Sequence, residues 1–202
     1  MPKRGARRRV AMAAGMACLM LATGAAMAGD QPTGPAPAPA ISADEQDVYE
    51  AVLAGWLGKE TQRQQVNEQL SPPPAAPDDD LADCTKGLDF PPPAQPPAPE
   101  KSLAGVAFRL PGVVLVDGSR WRADDPGDAI AGGKSVDAAV TQGISHSLIS
   151  FSQIAFSRDH KDALVRFGMV CGRLCGTGSV MHLRRTGARW KTLGDCGGRW
   201  IS

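Results

Sequence analysis

The chain has 202 residues, of which 43% are hydrophobic, and a formal net charge of +1 that hides a steep internal gradient. Residues 29–100 carry thirteen acidic against three basic side chains, whereas residues 101–202 carry eight against fourteen and no Glu. Beyond the first 28 residues no run is long and apolar enough to span a bilayer, which takes about 20 apolar residues, so a helical membrane protein is excluded for the remainder.

Residues 1–28 read as a secretory signal. Lys3, Arg4, Arg7, Arg8 and Arg9 precede an uncharged run from Val10 to Met27 that ends in Ala26-Met27-Ala28, a small-x-small cleavage pattern. Cleavage after Ala28 would leave a periplasmic or secreted protein starting at Gly29. Two other readings stand beside it, a retained anchor and a lipoprotein modified at Cys18. The Ala/Gly-rich run ends too well for the first, and apolar residues following Cys18 argue against the second. The alanine-rich composition and the basic leader look bacterial.

Residues 29–41 form a Pro/Ala-rich spacer. Residues 42–70 begin with Ser42-Ala-Asp-Glu45, a capping box, and Val48, Tyr49, Val52, Leu53, Trp56 and Leu57 then recur at three- and four-residue spacing. A helix follows, with Gly55 and Gly58 weakening its end and a short strand within Gln62–Leu70. Residues 71–100 are an acidic Pro-rich loop, with Cys84, Leu88 and Phe90 its only docking points.

Residues 101–202 are the folded body. Val106–Leu110 and Val113–Asp117 read as strands on either side of Pro111-Gly112. Ser135 caps a helix reaching about Ser145, its apolar side made by Val136, Ala139, Val140 and Ile144. Four strand-like runs follow, near 149–157, 162–171, 178–185 and 189–194, joined by Arg158–Lys161, Arg173–Thr177 and Thr186–Ala188. Connections this short force antiparallel neighbours. On the second run Ala163, Val165, Phe167, Met169 and Cys171 share one face, and Trp200-Ile201-Ser202 completes the last strand. The expected class is α+β, an antiparallel β-meander of about four or five strands packed against one or two helices.

With Cys18 removed, Cys84, Cys171, Cys175 and Cys196 remain, an even number that favours two disulfides in an oxidising compartment. Of three connectivities we favour Cys171–Cys175 with Cys84–Cys196, since near neighbours at a hairpin tip can meet without other rearrangement. Thiol exchange through Cys171 and Cys175 is weaker, because redox pairs use Cys-x-x-Cys at a helix start. A zinc site from Cys171, Cys175, Cys196 and His160 or His182 matches no known module spacing. No metal and no cofactor are therefore expected.

Gly132-Gly133-Lys134-Ser135 resembles the end of a phosphate loop, but the earlier glycine is replaced by Asp128, leaving a turn and a helix cap. No Gly-x-Ser-x-Gly elbow accompanies His146, His160 or His182, so no triad can be assembled. Arg184, Arg185, Arg189, Trp190, Lys191, Arg199 and Trp200 cluster near the C-terminus, which export turns away from nucleic acid and toward anionic envelope material.

Ser150-Phe-Ser-Gln-Ile-Ala-Phe-Ser157, Ala163-Leu-Val165, Cys171-Gly-Arg-Leu-Cys-Gly-Thr-Gly178, Gly187-Ala-Arg-Trp190 and Trp200-Ile-Ser202 occur in that order. Together they resemble the C-terminal block of small exported bacterial proteins of uncharacterised function, with a Cys-Gly-x-Leu-Cys-Gly hairpin and a Trp-x-Ser end. The resemblance covers roughly the last quarter of the chain and implies no activity. Cys84, Cys196 and the Pro-rich middle have no counterpart in it.

The expectation is an exported, disulfide-stabilised, non-catalytic binding or structural protein of the cell envelope. Its partner would be an anionic envelope component or another envelope protein, with Arg173 and Leu174 at the rigid hairpin tip as candidate contacts. The alternatives are a small periplasmic enzyme with a pocket histidine such as His182, and a thiol-disulfide exchange protein.

Overall fold

Ser42 opens the first helix, α1 (Ala43–Leu57), as its capping box dictates. Its Oγ accepts from the Glu45 N–H at 3.2 Å, and the Glu45 carboxylate accepts from the Ser42 N–H at 2.8 Å. The computed structural model describes residues 40–58, 63–75, 81–97 and 99–202. The signal segment, Cys18 and nearly all of the Pro/Ala spacer lie outside the described residues.

After α1 come β1 (Gln64–Asn67), the helical turn α2 (Ala82–Thr85), β2 (Val113–Val116), α3 (Pro126–Ala131) and α4 (Val136–Ser145). The remaining elements are strands: β3 (Leu148–Phe151), β4 (Ala155–Phe156), β5 (Asp162–Gly172), β6 (Cys175–Thr186), β7 (Arg189–Asp195) and β8 (Trp200–Ile201). The protein is α+β, with four helices and one eight-stranded sheet among the described residues, more of each than the sequence suggests.

The sheet order is β2-β1-β3-β5-β6-β7. From β3 to β7 the neighbours are antiparallel, joined by tight connections such as Gly187-Ala188, where Gly187 takes φ +62°. The other end corrects the all-antiparallel expectation: β1 pairs parallel with both β2 and β3. Long connections permit this. The chain leaves β1 through the Pro-rich segment and leaves β2 through α3 and α4, and parallel neighbours need crossovers of such length. β3 and β4 share one edge of β5, while β7 and β8 share one edge of β6.

The main core lies between α1 and the sheet. Val48, Tyr49, Val52, Leu53 and Leu57 meet Ala163, Val165, Phe167, Met169 and Cys171, the β5 face legible from period-two alternation. Tyr49, Phe151 and Phe167 form a chain of tilted rings, with centroids 5.1 and 5.8 Å apart. On the opposite face a smaller cluster joins Leu81 and Phe90 to Leu164, Val180 and Cys196. The Pro-rich segment thus docks at Leu81, Phe90 and half-buried Leu88, and it contains α2, which its composition concealed. Cys84 pairs with Cys196 and Cys171 with Cys175, with Cα separations of 5.6 and 5.1 Å.

Three other expectations need correction. Residues 106–110 are irregular, because α1 satisfies their backbone in place of a sheet neighbour. The Glu50 carboxylate accepts from the Arg109 N–H at 2.9 Å, and Gln46 Nε2 donates to the Ala107 carbonyl at 2.8 Å. α3 was missed, although Asp125-Pro126 carries its start: the Asp side chain caps the Gly127 N–H and proline occupies the first turn. α4 begins at Ser135 as read, yet it packs through Ala139 and Gly143 and leaves Val136, Val140 and Ile144 exposed. Pro126 sits so close to Gly143 that a Cβ there would overlap its ring, so small residues set this contact.

Candidate functional site

The Cys171–Cys175 hairpin turns on two residues, Arg173 and Leu174, because β6 already starts at Cys175. The predicted connection through Thr177 was too long. Arg173 is held down: its guanidinium pairs with Asp128 at 2.6 Å and Asp125 at 3.4 Å, and its N–H donates to Asp125 at 2.7 Å. That N–H, more than any other contact, keeps the Asp125 carboxyl below the usual carboxylate range. Leu174 is therefore what the tip presents, 88% exposed. Beneath it a cleft of about 470 Å³ runs between the disulfide, Met169 and the Val140–Ile144 side of α4. Cys171 is 1% exposed, so an attacking thiolate finds little access to it.

The three histidines are separated and individually occupied. His146 ends α4, with Nδ1 3.1 Å from the Gln142 carbonyl and 3.2 Å from Asp124. His160 stacks on Phe156 at 5.0 Å in the turn before β5. His182 is buried with Nε2 2.7 Å from Asp162, whose same oxygen accepts from Arg184 at 2.8 Å. His182 does not line the cleft beneath Leu174, the groove beside Trp200 or the cavity under Trp56. Ser157, the hydroxyl nearest in sequence to Asp162, donates to Asp159 and accepts from the Asp162 N–H.

Part of the charge gradient resolves into contacts between the two halves of the chain. Lys101 pairs with Glu45 at 2.8 Å, Arg109 with Glu50 at 2.7 Å and with Asp47, Arg158 with Asp89 at 3.0 Å, and Arg185 with Asp44 at 3.1 Å. Burial by itself would raise the Glu50 carboxyl. Hydrogen bonds from the Arg109 side chain and backbone and from Gln46 outweigh it and hold the group below its ordinary value. The C-terminal basic cluster is also divided by the sheet. Trp190 faces the α1 core and donates to Asp44 at 2.9 Å, with Arg185 over its ring, whereas Trp200 lies on the other face.

Trp200 rests on a floor made for it. Gly178 pairs with both Gly168 and Trp200 across the sheet, and Gly176 follows two residues away on the same face. A Cβ on Gly176 or Gly178 would overlap the indole, and one on Gly168 would sit 3.5 Å from it. The ring thus packs against a surface without side chains, and Trp200 remains 39% exposed. Beside it opens a groove of about 750 Å³. Ser150, Gly168 and Val170 line its floor, Gln69–Pro72 and Glu100–Ser102 line the opposite wall, and Arg166 stands within it. Lys101 is neutralised by Glu45, while Arg166 has no ion pair and donates no side-chain hydrogen bond among the described residues.

A third cavity of about 220 Å³ lies under Trp56, against Phe167 and Met181. No helix among the described residues is long and apolar enough to cross a membrane, and they contain no cluster of metal-ligating side chains. Sequence reasoning placed Trp200 in a basic cluster but missed its groove and Arg166. The available signal was the Gly-x-Gly spacing of Gly176 and Gly178 opposite Gly168, glycines inside strands that mark close approach of another group. No family model, curated protein or solved structure matches this chain.

Proposed function

We propose that this is an exported, non-catalytic binding protein of the bacterial cell envelope, which takes an anionic envelope component into the groove beside Trp200. The observation that carries this reading is Arg166, a guanidinium inside a concave site with no carboxylate partner among the described residues, while Arg109, Arg158, Arg173, Arg184 and Arg185 all meet carboxylates. The leader-like N-terminus and two disulfides support an oxidising compartment. Binding in place of catalysis is supported by the scattered and occupied histidines. Leu174, at the tip held by the Arg173–Asp125–Asp128 contacts, is a second candidate contact, over a separate cleft.

Native gels cast with alginate or with poly-glutamate test the reading. The protein should be retarded by at least one of these polyanions, and Arg166→Gln should migrate as it does without polymer. Equal migration of both proteins in every gel would overturn it. Arg166 is exposed and holds no side-chain partner among the described residues, so the exchange should leave the fold intact.

A further inference from the structure

We infer that the groove recognises an acidic saccharide, with a pyranose face stacked on Trp200 and one carboxylate on Arg166. The inference rests on the anion-binding reading above and adds the ligand class.

Geometry sets the first constraint. The indole lies against three glycines, 39% of Trp200 stays exposed, and the residue lines the groove. A flat apolar platform on a polar groove suits a ligand with an apolar C–H face and a polar periphery. Arg166 precedes Gly168 by two residues on the same face of β5, so the guanidinium is rooted about 7 Å along the strand from the platform. That offset matches an exocyclic carboxylate on a stacked ring or on its neighbour.

The remaining lining excludes other chemistry. A bare inorganic anion would use Arg166 and leave Trp200 and most of the volume idle. An apolar ligand would bury the Arg166 guanidinium and Ser150 hydroxyl without partners, which is costly. An extended peptide gains its affinity by adding to a free strand edge. Here the floor is the face of a sheet, where β3, β5 and β6 already pair with one another. Recognition must therefore come from side chains. Glu100 on the far wall can accept from sugar hydroxyls, which suits a saccharide better than a ligand that offers negative charge alone.

Isothermal titration of the purified protein with a mannuronate trisaccharide, cellotriose and a glutamate tripeptide separates the ligand classes. The uronate should bind, and indole fluorescence should change with saturation. Arg166→Gln should weaken it about tenfold, the loss of one charge-assisted hydrogen bond. Cellotriose should bind more weakly than the uronate and be indifferent to Arg166→Gln. Trp200→Leu should weaken both sugars, with circular dichroism confirming the fold. Glutamate peptide binding that depends on Arg166, without uronate binding, would retain the anion site and overturn the saccharide. Uronate binding unchanged in both variants, or no binding of any probe together with unretarded gels, would overturn both.

Discussion

Tyr49 shows how a single polar atom is tolerated in the core. Its hydroxyl donates to the Ser152 carbonyl at 3.0 Å, where β3 breaks before β4. Tyr49→Phe removes that donor from a buried carbonyl and should cost about 1–3 kcal/mol, read as a lower denaturant midpoint with an unchanged m-value. Burial, helped by the Glu45 carboxylate, pushes the phenol far above its usual ionisation. The unfolded chain ionises Tyr49 near pH 10, about where model tyrosines do, and the folded chain does not. The stabilisation is therefore complete below about pH 10 and declines at roughly 1.4 kcal/mol per pH unit above it. Between pH 9 and 11 the wild type should lose more stability than Tyr49→Phe. Equal slopes would place the phenol in solvent contact.

Among elements, those with local rules were the readable ones. The α1 cap needs only Ser42 and Glu45, and the β5 alternation needs only one buried face. The segment from Val106 to Leu110 has strand composition, yet Glu50 and Gln46 on α1 take its backbone groups, a contact across about sixty positions. α4 shows the complementary error, since the residues that dock it are its smallest ones and its Val and Ile side chains face outward. The site was illegible for a similar reason. A glycine means nothing by itself, and three of them become a seat for Trp200 only when β5, β6 and β8 are aligned. Gly178→Ala tests that seat. The methyl would overlap the indole and should lift β8, speeding amide exchange at Trp200 and Ser202 while exchange in β5 stays slow.

At the scale of the whole molecule, two cross-links of different reach hold the two faces of the sheet. Cys171–Cys175 closes a loop of four residues and Cys84–Cys196 one of 112. In the chain-entropy model these contribute about 2 and nearly 5 kcal/mol before any native strain is subtracted. Replacing Cys84 and Cys196 together by Ala should lower the melting temperature more than replacing Cys171 and Cys175 together. It should also make the α2 segment the first site of proteolysis, because the cluster of Leu81, Phe90 and Leu164 is small. An equal loss from both pairs would mean that packing, with no help from the long bridge, holds that segment on the sheet.

The long bridge also imposes an order of arrival. If the leader with Cys18 is removed as proposed, a chain delivered from its N-terminus presents Cys84 first, then Cys171 and Cys175 together, and Cys196 last. From the emergence of Cys171 until that of Cys196, the sulfurs offered to Cys84 are the wrong ones. Oxidation in order of appearance would join it to the hairpin and strand Cys196. The native pairing therefore depends on the hairpin closing first on itself, and Arg173, pinned by Asp125 and Asp128, favours that early closure. The short staple contributes little to the finished protein. Its larger service is to remove two competitors before the final cysteine appears.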